Sequence, residues 1–256
     1  MFDRKRLLPF WLIIPGLILL APAAFAADVQ EILKAADRFR MPADAVEVKT
    51  RILLYKNGKL DKERRYDVFL KPGHRSLVLF RHASERGQKM LMLDDRFWMI
   101  MPKSRRPIRV TPMQKLLGEA SAGDIATMTW SEDYQAKLAG DTTIGDLKAL
   151  KLDLTSSRKG TTYQRIELWV TASDYHPLKA NLYVHSGKLA KQVSFRLGEM
   201  DGRPMIVSMT LLDKVQKQKK TVIDYLGNQP REIDDKYYNP MYLVRNTLEA
   251  ISEDRD

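Results

Sequence analysis

The pattern that most constrains the fold is a long succession of segments in which apolar and polar residues alternate, separated by turn signals. Side chains of a strand point alternately to its two faces, so a period of two predicts half-buried β-strands. About eleven such strands are predicted, with none between residues 102 and 147. Consecutive strands are not separated by helices as a parallel sheet requires, which excludes a doubly wound α/β fold. An antiparallel sheet of this size forms a sandwich or curls into a barrel.

Turns and helices are predicted at specific places. Asn57-Gly58 separates two of the strands and is the strongest short hairpin signal. An apolar stripe with helical spacing predicts a helix at Asp28–Phe39, and Asn239-Pro240 is expected to open a last helix that ends at Ile251. A helix followed by about eleven strands favours a mainly β fold with some α, a curved antiparallel sheet wrapped over a few helices.

The first 26 residues have the layout of a cleavable secretory signal peptide. Arg4, Lys5 and Arg6 form a positive start, Leu7–Phe25 is apolar, and Ala24-Phe25-Ala26 is a cleavage motif. The alternative is a retained anchor, since nineteen apolar residues just reach across a bilayer. Prolines and a glycine interrupt the apolar run, so we favour cleavage, which leaves residues 27–256 as a single exported domain.

The composition then limits the kinds of partner that the protein is expected to bind. The chain carries a net charge of +11 and contains no cysteine. Removal of the leader takes away a net charge of two, and an exported protein with +9 is expected to meet an anionic membrane face or an acidic partner, not nucleic acid. The lack of cysteine excludes disulfides, thiolate metal sites, cysteine nucleophiles and a lipidated N-terminal cysteine.

One predicted hairpin has a face that the sequence can assign. If Asp94-Asp95 is a two-residue turn, Met92 faces Phe97, Met90 faces Met99, and Met101 extends the same side. Methionine is flexible and polarizable, which suits a wall that accommodates varied apolar ligands. Ordinary core packing is the alternative, and an odd-length turn would exchange the two faces.

Three prolines, Pro102, Pro107 and Pro112, interrupt the series of predicted strands and mark an insertion at about 102–130. Short helices are predicted in it at Met113–Leu117 and Asp124–Met128. Basic residues cluster here and on the first hairpin. They are candidates for docking on a membrane or partner, or else a solvated surface that protects strand edges. The docking candidates are Lys59, Lys62, Arg64, Arg65, Arg105 and Arg106.

Catalytic and metal sites are not indicated. The four histidines, His74, His82, His176 and His185, have no metal-ligand spacing, and there is no nucleophile elbow or phosphate loop. We expect no catalysis, no metal and no cofactor.

Several segments resemble, in order, the outer-membrane lipoprotein-sorting (LolA-like) family. Residues 86–102, RGQKMLMLDDRFWMIMP, are similar to its central signature of a Gly-led strand, a turn and a Trp-containing strand that ends in proline. Residues 117–125, LGEASAGDI, resemble its Gly-Ser-x-x-Ser-x-x-Asp-Leu region, with Glu119 where the family usually has serine. IELWV at 166–170, YHPLKA at 175–180 and SGK at 186–188 match its second half.

The resemblance implies an open half-barrel whose apolar concave side, covered by helices, carries acyl chains or lipids across the periplasm. Lipoprotein acyl chains or another lipid are the implied cargo, with an inner-membrane transporter complex and an outer-membrane acceptor as possible partners. A lipid-sensing regulator bound to an inner-membrane protein and a hydrolase of envelope lipid are the alternatives. The insertion is then the candidate lid or opposite wall, through Met113, Leu116, Leu117, Ile125 and Trp130.

Overall fold

The computed structural model describes residues 28–41, 45–127, 129–212 and 219–246. The predicted leader, residue 128 and the end of the last predicted helix lie outside these ranges. Within them the protein is mostly β-strand, with three short α-helices and 3₁₀ turns at Ala83–Glu85 and Asp235–Tyr238. None of the described helices is long and apolar enough to cross a bilayer.

Fifteen strands are formed by the described residues. In chain order they are β1 (Val46–Lys56), β2 (Lys59–Lys71), β3 (Arg75–Phe80), β4 (Lys89–Leu93), β5 (Arg96–Ile100), β6 (Ile108–Val110), β7 (Lys115–Leu117), β8 (Ala120–Ser121), β9 (Tyr134–Ile144), β10 (Leu147–Ser156), β11 (Arg165–Thr171), β12 (Pro177–Tyr183), β13 (Leu189–Met200), β14 (Arg203–Leu212) and β15 (Lys219–Pro230).

Thirteen of these strands form one antiparallel sheet in the order β6-β5-β4-β3-β2-β1-β15-β14-β13-β12-β11-β10-β9. β6 and β9 are its two edges and do not pair with each other, so the sheet is open. The predicted open curved sheet is confirmed, but with thirteen strands instead of about eleven. Both missed strands are edges: β6 is three residues long, and β9 is exposed along most of its length, so it lacks apolar alternation.

The helices begin where their capping residues predict. In α1 (Val29–Asp37) the Asp28 carboxylate accepts a hydrogen bond from the Gln30 amide at 3.0 Å. In α3 (Pro240–Arg245) the Asn239 side chain accepts from the Met241 and Tyr242 amides. Both arrangements satisfy amides that the first helical turn leaves unpaired.

The insertion holds more strand than the sequence predicts. It contains β6, the two-stranded ribbon β7-β8, and α2 (Ala122–Ala126). The helix predicted at Met113–Leu117 is wrong, because Lys115–Leu117 pairs with β8. The second predicted helix is present but begins two residues earlier, at Ala122, after a capping box formed by Ser121 and Asp124.

Apolar side chains pack on both faces of the sheet. An interior cluster joins one face to α1 and α2, and an outer cluster joins the other face of β2–β5 to the segment 233–243. Members of the interior cluster include Leu33, Ile52, Tyr66, Val78, Met90, Ile125, Leu152, Leu168 and Ile223. The outer cluster comprises Phe69, Leu77, Leu79, Leu91, Ile100, Ile233, Tyr237, Tyr238 and Leu243.

Candidate functional site

The methionine face of the β4–β5 hairpin lies in the interior. The register pairs Met90 with Met99 and Met92 with Phe97, as a two-residue turn at Asp94-Asp95 predicts. Met90, Met92 and Phe97 are buried in the interior cluster, and Met99 packs against it while partly exposed. Met101 differs, because β5 ends at Ile100 and the Met101 side chain is 36% exposed and outside that cluster.

The apolar residues of the insertion meet the same interior. Leu117, Ile125 and Trp130 are buried members of the interior cluster, while Met113 and Leu116 pack against it partly buried. The two sets of residues that the sequence proposed as cavity face and opposite wall therefore share one apolar cluster. In this conformation the two walls are packed together.

A buried ion pair holds α2 against the sheet. The Lys191 ammonium on β13 contacts a carboxylate oxygen of Asp124 on α2, and the two side chains are 1% and 2% exposed. Lys191 also donates to the Ser121 hydroxyl at 3.0 Å, and the Tyr163 hydroxyl donates to the other Asp124 oxygen at 2.6 Å. Two residues that lie 67 positions apart in the chain are thus joined inside the protein.

Burial dominates the electrostatics of this network. It lowers the pKa of the Lys191 ammonium, although the Asp124 charge opposes the shift. It also raises the pKa of the Tyr163 hydroxyl, with the nearby Asp124 carboxylate acting in the same direction. Two charges that are buried in this way are stable only as a pair, so the network resists separation. Loss of one partner leaves the other charge buried and unpaired, which costs a large amount of folding free energy.

Glycine allows α2 to approach its neighbours closely. A Cβ at Gly123 would lie 1.9 Å from the Thr162 hydroxyl oxygen and 2.9 Å from its Cβ. One at Gly118, whose φ is +56°, would lie 2.3 Å from the Thr221 hydroxyl oxygen. No larger residue fits at Gly123 without displacement of α2 or Thr162, or at Gly118 without displacement of the turn between β7 and β8 or of Thr221.

Helix α1 is tied to the other end of the insertion. The Asp37 carboxylate accepts hydrogen bonds from the Trp130 amide at 2.8 Å and from the Ser131 amide at 2.8 Å. The Arg40 guanidinium lies 4.0 Å from the centroid of the Trp130 ring and donates to the Thr127 carbonyl at 3.4 Å. Arg40 is buried, and its Nε and Nη1 atoms have no hydrogen-bond partner among the described residues.

Burial raises the pKa of the Asp37 carboxyl to about 6, against the opposing effects of the Ser131 and Trp130 amides and of Arg40. Between about pH 4 and 6 the folded protein retains a proton that the unfolded chain has released. The free energy of unfolding therefore falls as pH rises through this window, by about 2 kcal/mol between pH 4.5 and 7.5 from this group.

Asp37→Asn is expected to remove this part of the pH dependence. Urea unfolding of the wild type and the variant at the two pH values measures it, because subtraction cancels the other carboxyl groups. The same pH dependence in both proteins would contradict the assignment to Asp37.

The space enclosed between the walls is small. A cavity of about 40 Å³ lies between α2, the Trp130 region and the sheet, and its lining includes Arg40, Tyr163, Phe195 and Met209. Sites for small molecules in proteins usually measure about 300–1,000 Å³. A ligand of that size can therefore enter this space only if α1 or the insertion moves away from the sheet.

The basic docking candidates share one end of the sheet. Tyr66 pairs with Phe80 and Lys89 with Ile100, so residues 59–65 lie at the same end as the connections 81–88 and 101–107. An ion pair between Arg64 and Glu85 at 3.0 Å joins the two regions. We call residues 59–65, 81–89 and 101–107 the basic end.

Not all of the six candidates carry free charge. Arg64 is paired with Glu85, and Arg65 with Glu63 at 2.7 Å. The other four are exposed and have no ion-pair partner in the described part of the chain. They are Lys59, Lys62, Arg105 and Arg106.

Several site residues were not predicted from sequence. Lys191 reads as one more strand lysine, and Asp37 and Arg40 as ordinary polar positions of a helix and the turn after it. Asp124 carried a signal, since it follows Ser121 with capping-box spacing. Among the described residues, no three His, Asp or Glu side chains are placed to share a metal ion.

The chain is similar to several solved structures. A LolA superfamily protein from Nitrosomonas europaea is 32% identical, with a TM-score of 0.78 over 85% of this chain and 100% of that one. A DUF1329 family protein from Desulfovibrio piger is 21% identical, with a TM-score of 0.67 over 84% of this chain and 99% of that one. An outer membrane lipoprotein-sorting protein domain from Vibrio parahaemolyticus is 18% identical, with a TM-score of 0.66 over 84% and 98% of the two chains.

The last two likenesses show the fold alone. A family model described only as an uncharacterized protein matches residues 73–245. No curated protein matches the sequence.

Proposed function

This chain belongs to the LolA superfamily, and from that membership we propose that it is a periplasmic carrier of acyl chains, taking up lipoprotein acyl chains or another lipid between its sheet and its helices. The protein is exported by residues 1–26, which are cleaved, and works as a single domain over 27–256. It binds and releases its cargo without catalysis. The resemblance of residues 86–102 and 117–125 to the lipoprotein-sorting family supports this choice of cargo.

One observation supports the proposal: the interior cluster is a continuous apolar surface to which the sheet and the insertion both contribute. Met90, Met92 and Phe97 belong to the sheet, whereas Ile125 and Trp130 belong to the insertion. Separation of these walls would present apolar surface on both sides of a single space. That geometry suits a long apolar chain better than a compact polar ligand.

Energetics favour an acyl chain as the occupant. Shielding each CH₂ group from water contributes about 0.8 kcal/mol, so a chain of sixteen carbons gains on the order of 10 kcal/mol. In the closed conformation, the one described here, the two walls are packed together. Opening it breaks the contacts between the walls, and contacts with the cargo replace most of them. The net affinity is then moderate, which permits release to an acceptor.

Arg40 is proposed as the polar contact for the cargo. Its buried Nε and Nη1 atoms lack partners among the described residues, and its side chain lines the small cavity. The ester or amide oxygen of an acylated headgroup accepts hydrogen bonds of the kind that a guanidinium donates. Such a contact would orient the chain with its polar end toward Trp130.

The basic end is proposed as the docking surface. Exposed Lys59, Lys62, Arg105 and Arg106 would meet anionic headgroups or an acidic partner such as an inner-membrane transporter or an outer-membrane acceptor. Each basic residue near an anionic membrane contributes about 1 kcal/mol. Binding through this end is expected to weaken as salt concentration rises.

Quenching of tryptophan fluorescence by a brominated acyl chain tests where the chain enters. The sequence has four tryptophans, so a variant that keeps only Trp130, with phenylalanine at the other positions, reports on the interior. We expect strong quenching of Trp130 by a brominated C16 acyl chain. A matching variant that keeps only Trp169, on β11, serves as the control and is expected to be quenched less.

Equal quenching of the two variants would contradict interior binding. Lipid content gives an independent test, by mass spectrometry of organic extracts of protein isolated from the periplasm. Repeated extracts without lipid, together with no quenching of Trp130, would overturn the carrier function.

A further inference from the structure

A second groove lies outside the interior, where the ends of β3, β4 and β5 meet α3. Its volume is about 510 Å³, within the usual range for a small-molecule site. Its apolar lining includes Ile100, Met101 and Leu243. Ile100 and Leu243 belong to the outer cluster, so this outer groove uses the face of the hairpin opposite the methionines.

The charged residues of the outer groove are all basic. Arg81, Arg86, Lys89, Lys103 and Arg245 line it, and no described carboxylate does. Arg81 is neutralised by Asp67 at 2.6 Å. The other four have no ion-pair partner among the described residues. Four unpaired cations beside an apolar lining are complementary to an anionic amphiphile.

Lys89 is the most informative of these residues. It is only 5% exposed, and its ammonium donates to the carbonyls of Leu243 at 2.7 Å and Asn246 at 2.5 Å. Both acceptors belong to residues that line the outer groove. An ammonium has three donors, and these two bonds leave one unused. A buried cation without a counter-charge is costly, and burial alone lowers the pKa of Lys89.

Capping of α3 accounts for part of this arrangement. A cation near the last carbonyls of a helix is favourable, and Lys89 occupies that position. Capping does not explain why Arg86, Lys103 and Arg245 line the same groove, where the described residues contribute no carboxylate. An anion in the outer groove would supply the counter-charge that these residues lack among the described residues.

We propose that the outer groove binds a single acyl lipid with a phosphate headgroup. The phosphate lies against Lys89 and the guanidinium groups of Arg86 and Arg245, which match the geometry of phosphate oxygens. The acyl chain lies along Ile100, Met101 and Leu243. This site is separate from the interior carrier site and does not depend on movement of α2.

Calorimetric titration with monomeric lysophosphatidic acid tests the proposal. We expect binding at least tenfold tighter than that of lysophosphatidylcholine with the same acyl chain. Arg86→Gln combined with Arg245→Gln is expected to weaken the binding at least tenfold. Lys148→Gln combined with Lys188→Gln removes the same charge from exposed positions elsewhere and is expected to change the affinity less than twofold.

Lys89→Met keeps the apolar stem and is expected to lower the affinity at least tenfold. If that variant fails to fold, the affinity of the Arg86→Gln, Arg245→Gln variant for lysophosphatidic acid tests the site instead. A variant that keeps only Trp98, which packs against the outer cluster, should be quenched by brominated lysophosphatidic acid. Its response is independent of Trp130, so failure of this site and failure of the interior site are distinguishable.

Four results would overturn the proposal. The first is equal affinity for the two lysolipids, and the second is equal loss of affinity in the two double variants. The third is binding of inorganic phosphate as tight as that of the lipid, which would show that the apolar lining contributes nothing. The fourth is binding of an acidic peptide with no binding of the lipid, which would assign the outer groove to a protein partner.

Discussion

Lys191→Met is expected to lower the free energy of unfolding by about 3–5 kcal/mol, because it leaves the Asp124 carboxylate buried without its cation. The Lys191 side chain is 1% exposed, so water cannot replace the lost partner without rearrangement. Urea unfolding measures the loss. Lys188→Met, an exposed lysine nearby in sequence, is the matched control and should change stability by less than about 0.5 kcal/mol.

A second substitution separates charge from packing. Asp124→Asn removes the charge and keeps one acceptor oxygen, which can accept from either the Tyr163 hydroxyl or the Ser121 amide, because these two donors bind different oxygens of Asp124. Lys191→Met combined with Asp124→Asn is therefore expected to recover about half of the loss. A double variant as unstable as the sum of the two single variants would show that the ion pair does not account for the stability of α2.

Gly123→Ala is expected to weaken the closed conformation and speed the uptake of acyl chains. Its Cβ would lie 1.9 Å from the Thr162 hydroxyl oxygen, so α2 must shift away from the loop that carries Thr162. Overpacking of this kind costs about 1–3 kcal/mol. If only the closed conformation bears that cost, the open population rises by about tenfold for each 1.4 kcal/mol.

Urea unfolding and stopped-flow quenching of Trp130 measure the two effects. Thr162→Gly removes the atoms that clash and is expected to restore the wild-type uptake rate in the Gly123→Ala background. Gly227→Ala is the matched control, because its Cβ has no neighbour within 4 Å. Loss of stability without faster uptake would show that α2 stays on the sheet while cargo enters, and that the insertion is not the lid.

Local signals determined much of the sheet. Asn57-Gly58 forms the predicted hairpin, with φ values of +51° and +77° that favour this residue pair. The Asp94-Asp95 turn set the register of β4 and β5, so the methionine face was assigned from sequence alone. Hairpin turns and strand faces depend on residues that are close together in the chain, so turn residues and the alternation of apolar and polar residues predict them directly.

The edge strands and the insertion were harder to predict from the sequence. β9 is exposed over most of its length, so hydrogen bonds to β10 hold it in place and its own side chains contribute little. Lys115–Leu117 was predicted to be helical but pairs with β8, because tertiary contacts outweigh weak local propensity in a segment of three residues.

Sequence alone predicts the antiparallel architecture, the shared face of Met90, Met92 and Met99, and the resemblance to the lipoprotein-sorting family, because period, turn chemistry and motif order are local properties. The three-dimensional structure shows that this face points inward, that Asp124 meets Lys191, that Arg40 lies over Trp130, and that the basic residues share one end. It also brought Lys89 to the end of α3 and formed the outer groove there. The physical reason is that burial and charge pairing depend on which distant segments share a space, and a linear pattern carries no record of that space.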